Sequence, residues 1–224
     1  SLKWWENAVI YQIYPRSFQD SNDDGIGDLK GITSRLNYLS ELGVDAIWIS
    51  PFFKSPQKDF GYDVSDYYNI NPEYGTLEDF ELLISKAHNL TLKVMLDIVP
   101  AHCSSEHPWF VESRSSTTNP KSDWFHWAEP KEDGSAPTNW LSFFGGQAWT
   151  WEPRRQQYYL HNFLPEQPNL NYANPAVLEE FNQIAKFWFD RGVDGFRLDA
   201  VHTINADSFP YKDNPANPKF KLGP

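Results

Sequence analysis

Cysteine is almost absent: 224 residues contain one, Cys103, which excludes an intramolecular disulfide framework and any zinc or iron–sulfur centre built on several thiolates. The fold must therefore hold by packing. No run approaches the roughly 18 apolar residues that a membrane-spanning helix needs, and the opening SLKWWENAV has no hydrophobic signal-peptide core. Basic residues are few, 19 against 30 acidic ones, for a net charge of −11, so a nucleic-acid backbone or an anionic membrane surface would repel the average surface. Repeats and low-complexity tracts are missing as well. What is present is a core-forming composition, 40% hydrophobic and 17% aromatic, enough for one globular domain or one and a half. These features predict no nucleic-acid or membrane partner. They also predict a cytoplasmic location, with secretion left open because a removed leader leaves no trace.

Four apolar runs rich in β-branched and aromatic residues are too short for buried helices and read as buried strands: Val9 to Pro15, Asp45 to Pro51, Lys93 to Val99 and Gly195 to Val201. Helical stripes lie between them. Leu29, Ile32, Leu36 and Leu39, spaced by three and four, predict one helix ending at Gly43. Thr76 and Asp79 form a capping-box signal ahead of Phe80, Leu83, Ile84 and Ala87, and Asn174-Pro175 opens a helix carrying Val177, Phe181, Ile184 and Trp188. Such alternation predicts an α/β fold with a parallel sheet covered by helices. About seventy residues, Cys103 to Asn174, interrupt it without a sustained period and are too long for a plain connection, which predicts an inserted subdomain. After Val201 the chain becomes proline-rich and aperiodic.

In barrels of alternating strands and helices, active sites form where strands run into their following loops. The four strand ends carry Arg16 and Asp20, then Asp59 to Asp63, then Asp97 and His102, then Arg197 and Asp199. Arg197 and Asp199, two apart, share one face of an extended strand, and charges on apolar strands are costly unless paired. That pair alone reads equally as a structural ion pair or as a functional one. Convergence of a histidine and several carboxylates at neighbouring ends favours function.

Six segments together resemble one family: YQIYPRSFQDSNDDGIGDLKGI (11–32), FGYDVSDY (60–67), DIVPAHCSSEHPWF (97–110), FFGGQAWTW (143–151), YYLHNFLPEQPNLN (158–171) and GFRLDAV (195–201). In order and spacing they resemble the α-amylase superfamily, glycoside hydrolase family thirteen, in its α-glucosidase and oligo-1,6-glucosidase branch. The resemblance implies a (β/α)₈ TIM barrel, of which this chain holds the first four βα units. It divides the chain into a first barrel part (1–102), a domain B insertion (103–174), and a barrel continuation (175–224) with the fourth strand and the start of the next loop. It implies a retaining α-glucosidase acting on short α-glucosides such as maltose. Asp199 would be the nucleophile, and Arg197 beside it would favour its ionised form. Asp59, Tyr62 and His102 would hold the glucose to be cleaved, with Phe144, Phe163 and Gln167 lining the pocket from the insertion. Asp97 would be a scaffold that positions Arg197. The general acid and a third carboxylate would lie in the remaining C-terminal half of the enzyme, and this piece alone would be inactive. A sucrose isomerase or transglycosylase of the same family, and a non-catalytic binding relative, are the alternatives.

The loop DSNDDGIGD is a separate signal. Asp20, Asn22, Asp24 and Asp28 fall at offsets one, three, five and nine of an EF-hand-like loop, with Gly25 at six and the Ile26 carbonyl at seven, while Gly31 replaces the glutamate at twelve. Such a loop on its own is usually a solvated turn. The resemblance includes a divalent-metal site here, implying one structural Ca²⁺ or Mg²⁺ and no organic cofactor. Three positions depart from or refine the pattern. Ala101 precedes His102 where the family usually has asparagine, so the resemblance carries no calcium site there. Asn169 makes QPNLN of the usual QPDLN. Ala200 matches the small residue of α-1,4-selective members, where α-1,6-selective ones tend to carry valine.

Overall fold

A computed structural model describes residues 1–204 and 210–216; the remainder of the proline-rich tail, expected to be aperiodic, lies outside the described residues. In chain order the elements are β1 (Ile10–Ile13), α1 (Pro15–Phe18), α2 (Leu29–Ser34), α3 (Leu36–Leu42), β2 (Ala46–Ile49), β3 (Phe53–Lys54), β4 (Asp66–Ile70), α4 (Leu77–Asn89) and β5 (Lys93–Ile98). They continue as α5 (Pro108–Ser113), β6 (Trp127–Ala128), β7 (Trp149–Glu152), β8 (Gln157–Leu160), α6 (Pro175–Phe189), β9 (Gly195–Leu198) and a 3₁₀ turn at Val201–Thr203.

β1, β2, β5 and β9 form one parallel sheet in that order, with Trp48 opposite Met95 and Asp97 opposite Arg197. Among the described residues, four parallel strands therefore stand side by side in chain order, the first three each followed by helix, as in half of an eight-stranded barrel. Ile10 and Leu198, on the two outer strands, remain 45% and 54% exposed.

Local signals explain the helices. Thr76 and Asp79 close a reciprocal capping box at the start of α4, and the Asn174 side chain accepts from the Ala176 N–H to open α6. Gly43 ends α3 at φ 87, a left-handed cap that a side chain would strain. The single helix predicted from Leu29 to Gly43 is instead two, broken at Arg35 (φ −106, ψ 5). Thr33 Oγ1 and Ser34 Oγ donate to the carbonyls of Leu29 and Gly31, competing with the main-chain ladder, and the Arg35 N–H reaches back to Ile32 O in a tighter turn. The apolar stripe survives the break because Leu36 and Leu39 still enter the core.

Between the sheet and α4 and α6 sits an aromatic core in which Trp188 stacks on Phe53 at 5.0 Å and donates its indole N–H to Tyr67 O. The segment between β5 and α6 carries a three-stranded antiparallel sheet, β6-β8-β7, with a small apolar cluster of Ala148, Trp149 and Leu160.

Candidate active site

β9 ends at Leu198, but the Asp199 N–H still donates to Ile98 O at 2.9 Å, so the carboxylate emerges at the C-terminal rim of the sheet. Arg197 lies two residues earlier on the same face. Its Nη1 donates to Asp199 Oδ1 at 2.6 Å and to both oxygens of Asp97 at 3.2 Å. The Asp97 side chain has no exposed surface. Besides Arg197 it accepts from Trp48 Nε1 and Tyr62 Oη, each at 3.1 Å. Burial pushes its pKa up to about 6 against the pull of Arg197, which leaves it ionised at neutral pH.

The loop after β3 supplies Asp59 and Tyr62. Its organiser is Asp63, wholly buried, which accepts from Ser55 Oγ and from the N–H groups of Lys58 and Asp59. Gly61 is required there: at φ 99, a Cβ would stand 2.6 Å from Pro51 O. Asp59 accepts from Gln167 Nε2 at 2.9 Å, and burial raises its pKa in spite of that hydrogen bond. Tyr62, expected to meet sugar directly, has its hydroxyl bonded to Asp97.

His102 is buried, and its Nε2 lies 3.0 Å from Tyr62 O. Nε2 also lies 3.2 Å from the Gln167 amide nitrogen, so it stands between a carbonyl acceptor and an amide donor, while Nδ1 is buried without a hydrogen-bond partner. Burial lowers the pKa to about 4, so the ring is neutral. Together these groups line a cavity of about 540 Å³ with Phe144, Phe163 and Ala200 on its walls. Gln167 acts from beneath, through Asp59. A larger cavity of about 640 Å³, bordered by Lys54, Asp66 and Trp109, has no guanidinium-paired carboxylate on its lining.

Ala200 adopts φ 50 and ψ 32, the left-handed region, at the turn that follows the strand. The Gly195–Val201 run thus leaves extended geometry before its predicted end. His107, His126 and His161 have partners in the structure: Trp109 N, Tyr211 Oη, and Phe163 O with Thr150 Oγ1.

Sequence reasoning gave no role to Trp48, Asp63 or Phe143. A tryptophan on an otherwise aliphatic strand needs a partner for its N–H, a usable signal for Trp48. Asp63 bonds mainly to main chain, which leaves no trace in residue types. Phe143 stacks on Phe163 at 5.3 Å and meets the edge of His202, a grouping that only the folded loops create.

The acidic loop stands apart. Asp20 accepts from the N–H groups of Asn22 and Gly25, which lower its pKa, and Asp24 accepts from the Ile26 N–H. Asp28 caps α2 through the Gly31 N–H and also accepts from the Ser21 N–H. The Asn22 amide can bridge Asp20 Oδ1 and Asp24 Oδ1 with its nitrogen, at 2.9 and 3.1 Å. With its oxygen turned toward them instead, the amide would add a third hard donor to the two carboxylates, the donor chemistry that a divalent cation takes. Among the described residues, no three His, Cys, Asp or Glu side chains form a metal cage by themselves.

Parallel βα units with ionisable groups gathered on the strand-end rim define the class, part of a (β/α)₈ barrel. Comparison narrows it: the chain belongs to the α-amylase family, whose catalytic-domain model matches residues 12–221. It is 62% identical over 213 residues to a probable α-glucosidase of Rhizobium meliloti, covering 95% of this chain and 38% of that protein. It is 49% identical to an oligo-1,6-glucosidase of Heyndrickxia coagulans, covering 99% and 40%. Among solved structures, the α-glucosyl transfer enzyme XgtA superposes with a TM-score of 0.94 at 60% identity, covering 97% and 41%. Trehalose-6-phosphate hydrolase of Bacillus licheniformis gives 0.93 at 46%, covering 96% and 38%. The chain thus spans about two fifths of the length of these relatives. Among the described residues, no helix is long and apolar enough to cross a membrane.

Proposed function

We propose that this chain is the nucleophile-bearing part of a retaining α-glucosidase that hydrolyses, and transfers to other hydroxyls, the terminal glucose of short α-glucosides such as maltose. The reading divides the chain into barrel (1–102), domain B (103–174) and barrel continuation (175–224). The observation that carries it is the Arg197–Asp199 contact of 2.6 Å opening onto a cavity that also holds Asp59 and His102. Asp199 attacks the anomeric carbon and forms a glucosyl ester while the leaving oxygen takes a proton. Water or another hydroxyl then opens the ester. Asp59 offers carboxylate oxygens to sugar hydroxyls, neutral His102 borders the same cavity, and the faces of Phe144 and Phe163 suit the C–H surface of the ring.

Retention needs a second carboxyl about 5 Å from the first. Asp97 is committed to Arg197 and Asp59 to Gln167, so the reading assigns the general acid to the rest of the barrel and expects the chain alone to be inactive. In the enzyme containing this chain, maltose should release α-glucose before mutarotation, as followed by proton NMR; β-glucose as first product would refute retention. Some structures of similar proteins contain sucrose, such as MutB at 46% identity, which favours a sucrose isomerase as the second reading. Conversion of sucrose to an isomeric disaccharide in place of hydrolysis would decide for it.

α-1,4 preference is part of the proposal and rests on Ala200. Ala200→Val should shift the maltose-to-isomaltose ratio of kcat/KM toward isomaltose by an amount on the order of 1–3 kcal/mol. Valine at φ 50 strains the turn, and that strain lowers both activities together, whereas a steric gate changes their ratio. An unchanged ratio would remove position 200 from linkage selection.

We also propose that Asp20, Asn22, Asp24, the Ile26 carbonyl and Asp28 hold one structural Ca²⁺ or Mg²⁺, with no organic cofactor. The ion would tie the acidic loop to the start of α2. Chelation should lower the melting temperature while kcat at moderate temperature stays constant; an unchanged melting temperature would count against the site.

A further inference from the structure

We propose that Trp48, on β2, is a positioning residue: its ring face and its indole N–H together fix the Arg197 guanidinium against Asp199. The inference rests on the α-glucosidase reading.

Arg197 meets both carboxylates through a single nitrogen, Nη1, at 2.6 Å to Asp199 Oδ1 and 3.2 Å to each oxygen of Asp97. Among the described residues, its Nε and Nη2 have no hydrogen-bond partner. An arginine usually owes its fixed orientation to a two-nitrogen fork on one carboxylate. Held at one corner, this guanidinium is free to swing about Nη1, and hydrogen bonding alone does not hold its plane.

Trp48 removes that freedom. Arg197 Cζ lies over the indole at 4.8 Å from the ring centroid, within cation–π range. The ring is itself anchored, because Nε1 donates to Asp97 Oδ2 at 3.1 Å. One residue thus restrains the cation through its face and the supporting carboxylate through its edge. The register brings them together: Trp48 pairs with Met95, Asp97 is two residues further along the same strand, and Asp97 pairs with Arg197. With a period of two, all of these project from one face of the sheet. Tyr62 Oη also bonds Asp97 but has no hydrogen bond to Arg197, so it supports the carboxylate without restraining the cation.

The test uses the enzyme containing this chain and compares Trp48→Phe, which keeps a ring face and loses the donor, with Trp48→Leu, which loses both. Trp48→Met, whose unbranched side chain adapts to irregular gaps, takes the place of Leu if that variant does not fold. For the ring-less variant, kcat on maltose should fall about ten- to a hundredfold with little change in KM, the size expected from misplacing a catalytic group. The acid limb of its kcat/KM profile should move to higher pH, because a carboxylate with a loosened cation is protonated more readily. Phe should restore most of kcat and return the limb toward its original position. Loss of thermal stability in both variants with an unmoved limb, or equal loss of kcat in Phe and Leu, would overturn the role of the ring. Asp199→Asn is run in parallel. Turnover surviving that change overturns the α-glucosidase reading and this inference with it. Its loss beside an unmoved ring-less profile overturns Trp48 alone.

Discussion

Replacing Asp199 by Asn, in the enzyme that carries this chain with a completed barrel, is expected to lower kcat by about 10⁴-fold or more, the scale seen when a covalent nucleophile is removed. The change keeps the side-chain shape, and an amide oxygen can still accept from Arg197 Nη1, whose contact is now 2.6 Å. The fold should therefore persist, and circular dichroism and the melting temperature will separate lost chemistry from lost structure. Turnover within about tenfold of the parent would mean that Asp199 does not form the bond.

Arg197→Met should have the largest effect on stability. It leaves Asp97 without exposed side-chain surface and Asp199 beside it, with their shared cation gone. Breaking a fully buried pair costs about 3–5 kcal/mol, and because the Arg197 side chain is 36% exposed, about 2–3 kcal/mol is expected at neutral pH. The cost should depend on pH in a defined direction. Burial already pushes Asp97 up to about 6 with the guanidinium present, and Arg197 opposes that rise. Without it, the folded state takes up a proton more readily than the unfolded chain. A carboxyl raised in the fold destabilises above its folded pKa and ceases to do so below its unfolded one. The gap in melting temperature between variant and parent should thus be widest above the variant's own, further raised Asp97 pKa and should close by about pH 6, where Asp97 takes up its proton in the parent as well. A gap that stays constant or widens on acidification would show that Asp97 is not held charged by Arg197.

Much of the scaffold was legible without coordinates because its signals are local. Apolar runs of strand length, the capping box at Thr76 and the Asn174-Pro175 start each act within a few residues. The break at Arg35 was not legible, because Thr33 and Ser34 can cap or continue a helix and the hydrophobic stripe runs through both outcomes. At the site, charged residues at strand ends stood out as costly exceptions in apolar segments. Their supports did not: Asp63 bonds largely to main chain, and Phe143 acquires its partners from loops far apart in sequence.

By itself the sequence determined the alternation of strands and helices, the strand ends that carry Arg16, Asp59, Asp97 and Asp199, and the pairing of Arg197 with a neighbour two residues away. Period and side-chain chemistry are properties of short segments, and short segments carry them intact. Only the tertiary structure decided which nitrogen of Arg197 meets which oxygen, and that Tyr62 and Trp48 both converge on Asp97. It also decided that His102 is a neutral ring with a buried, unpartnered Nδ1, and that Ala200 turns into the left-handed region. Those outcomes depend on the parallel register of β2, β5 and β9 and on burial by residues distant in the chain, which no local pattern encodes.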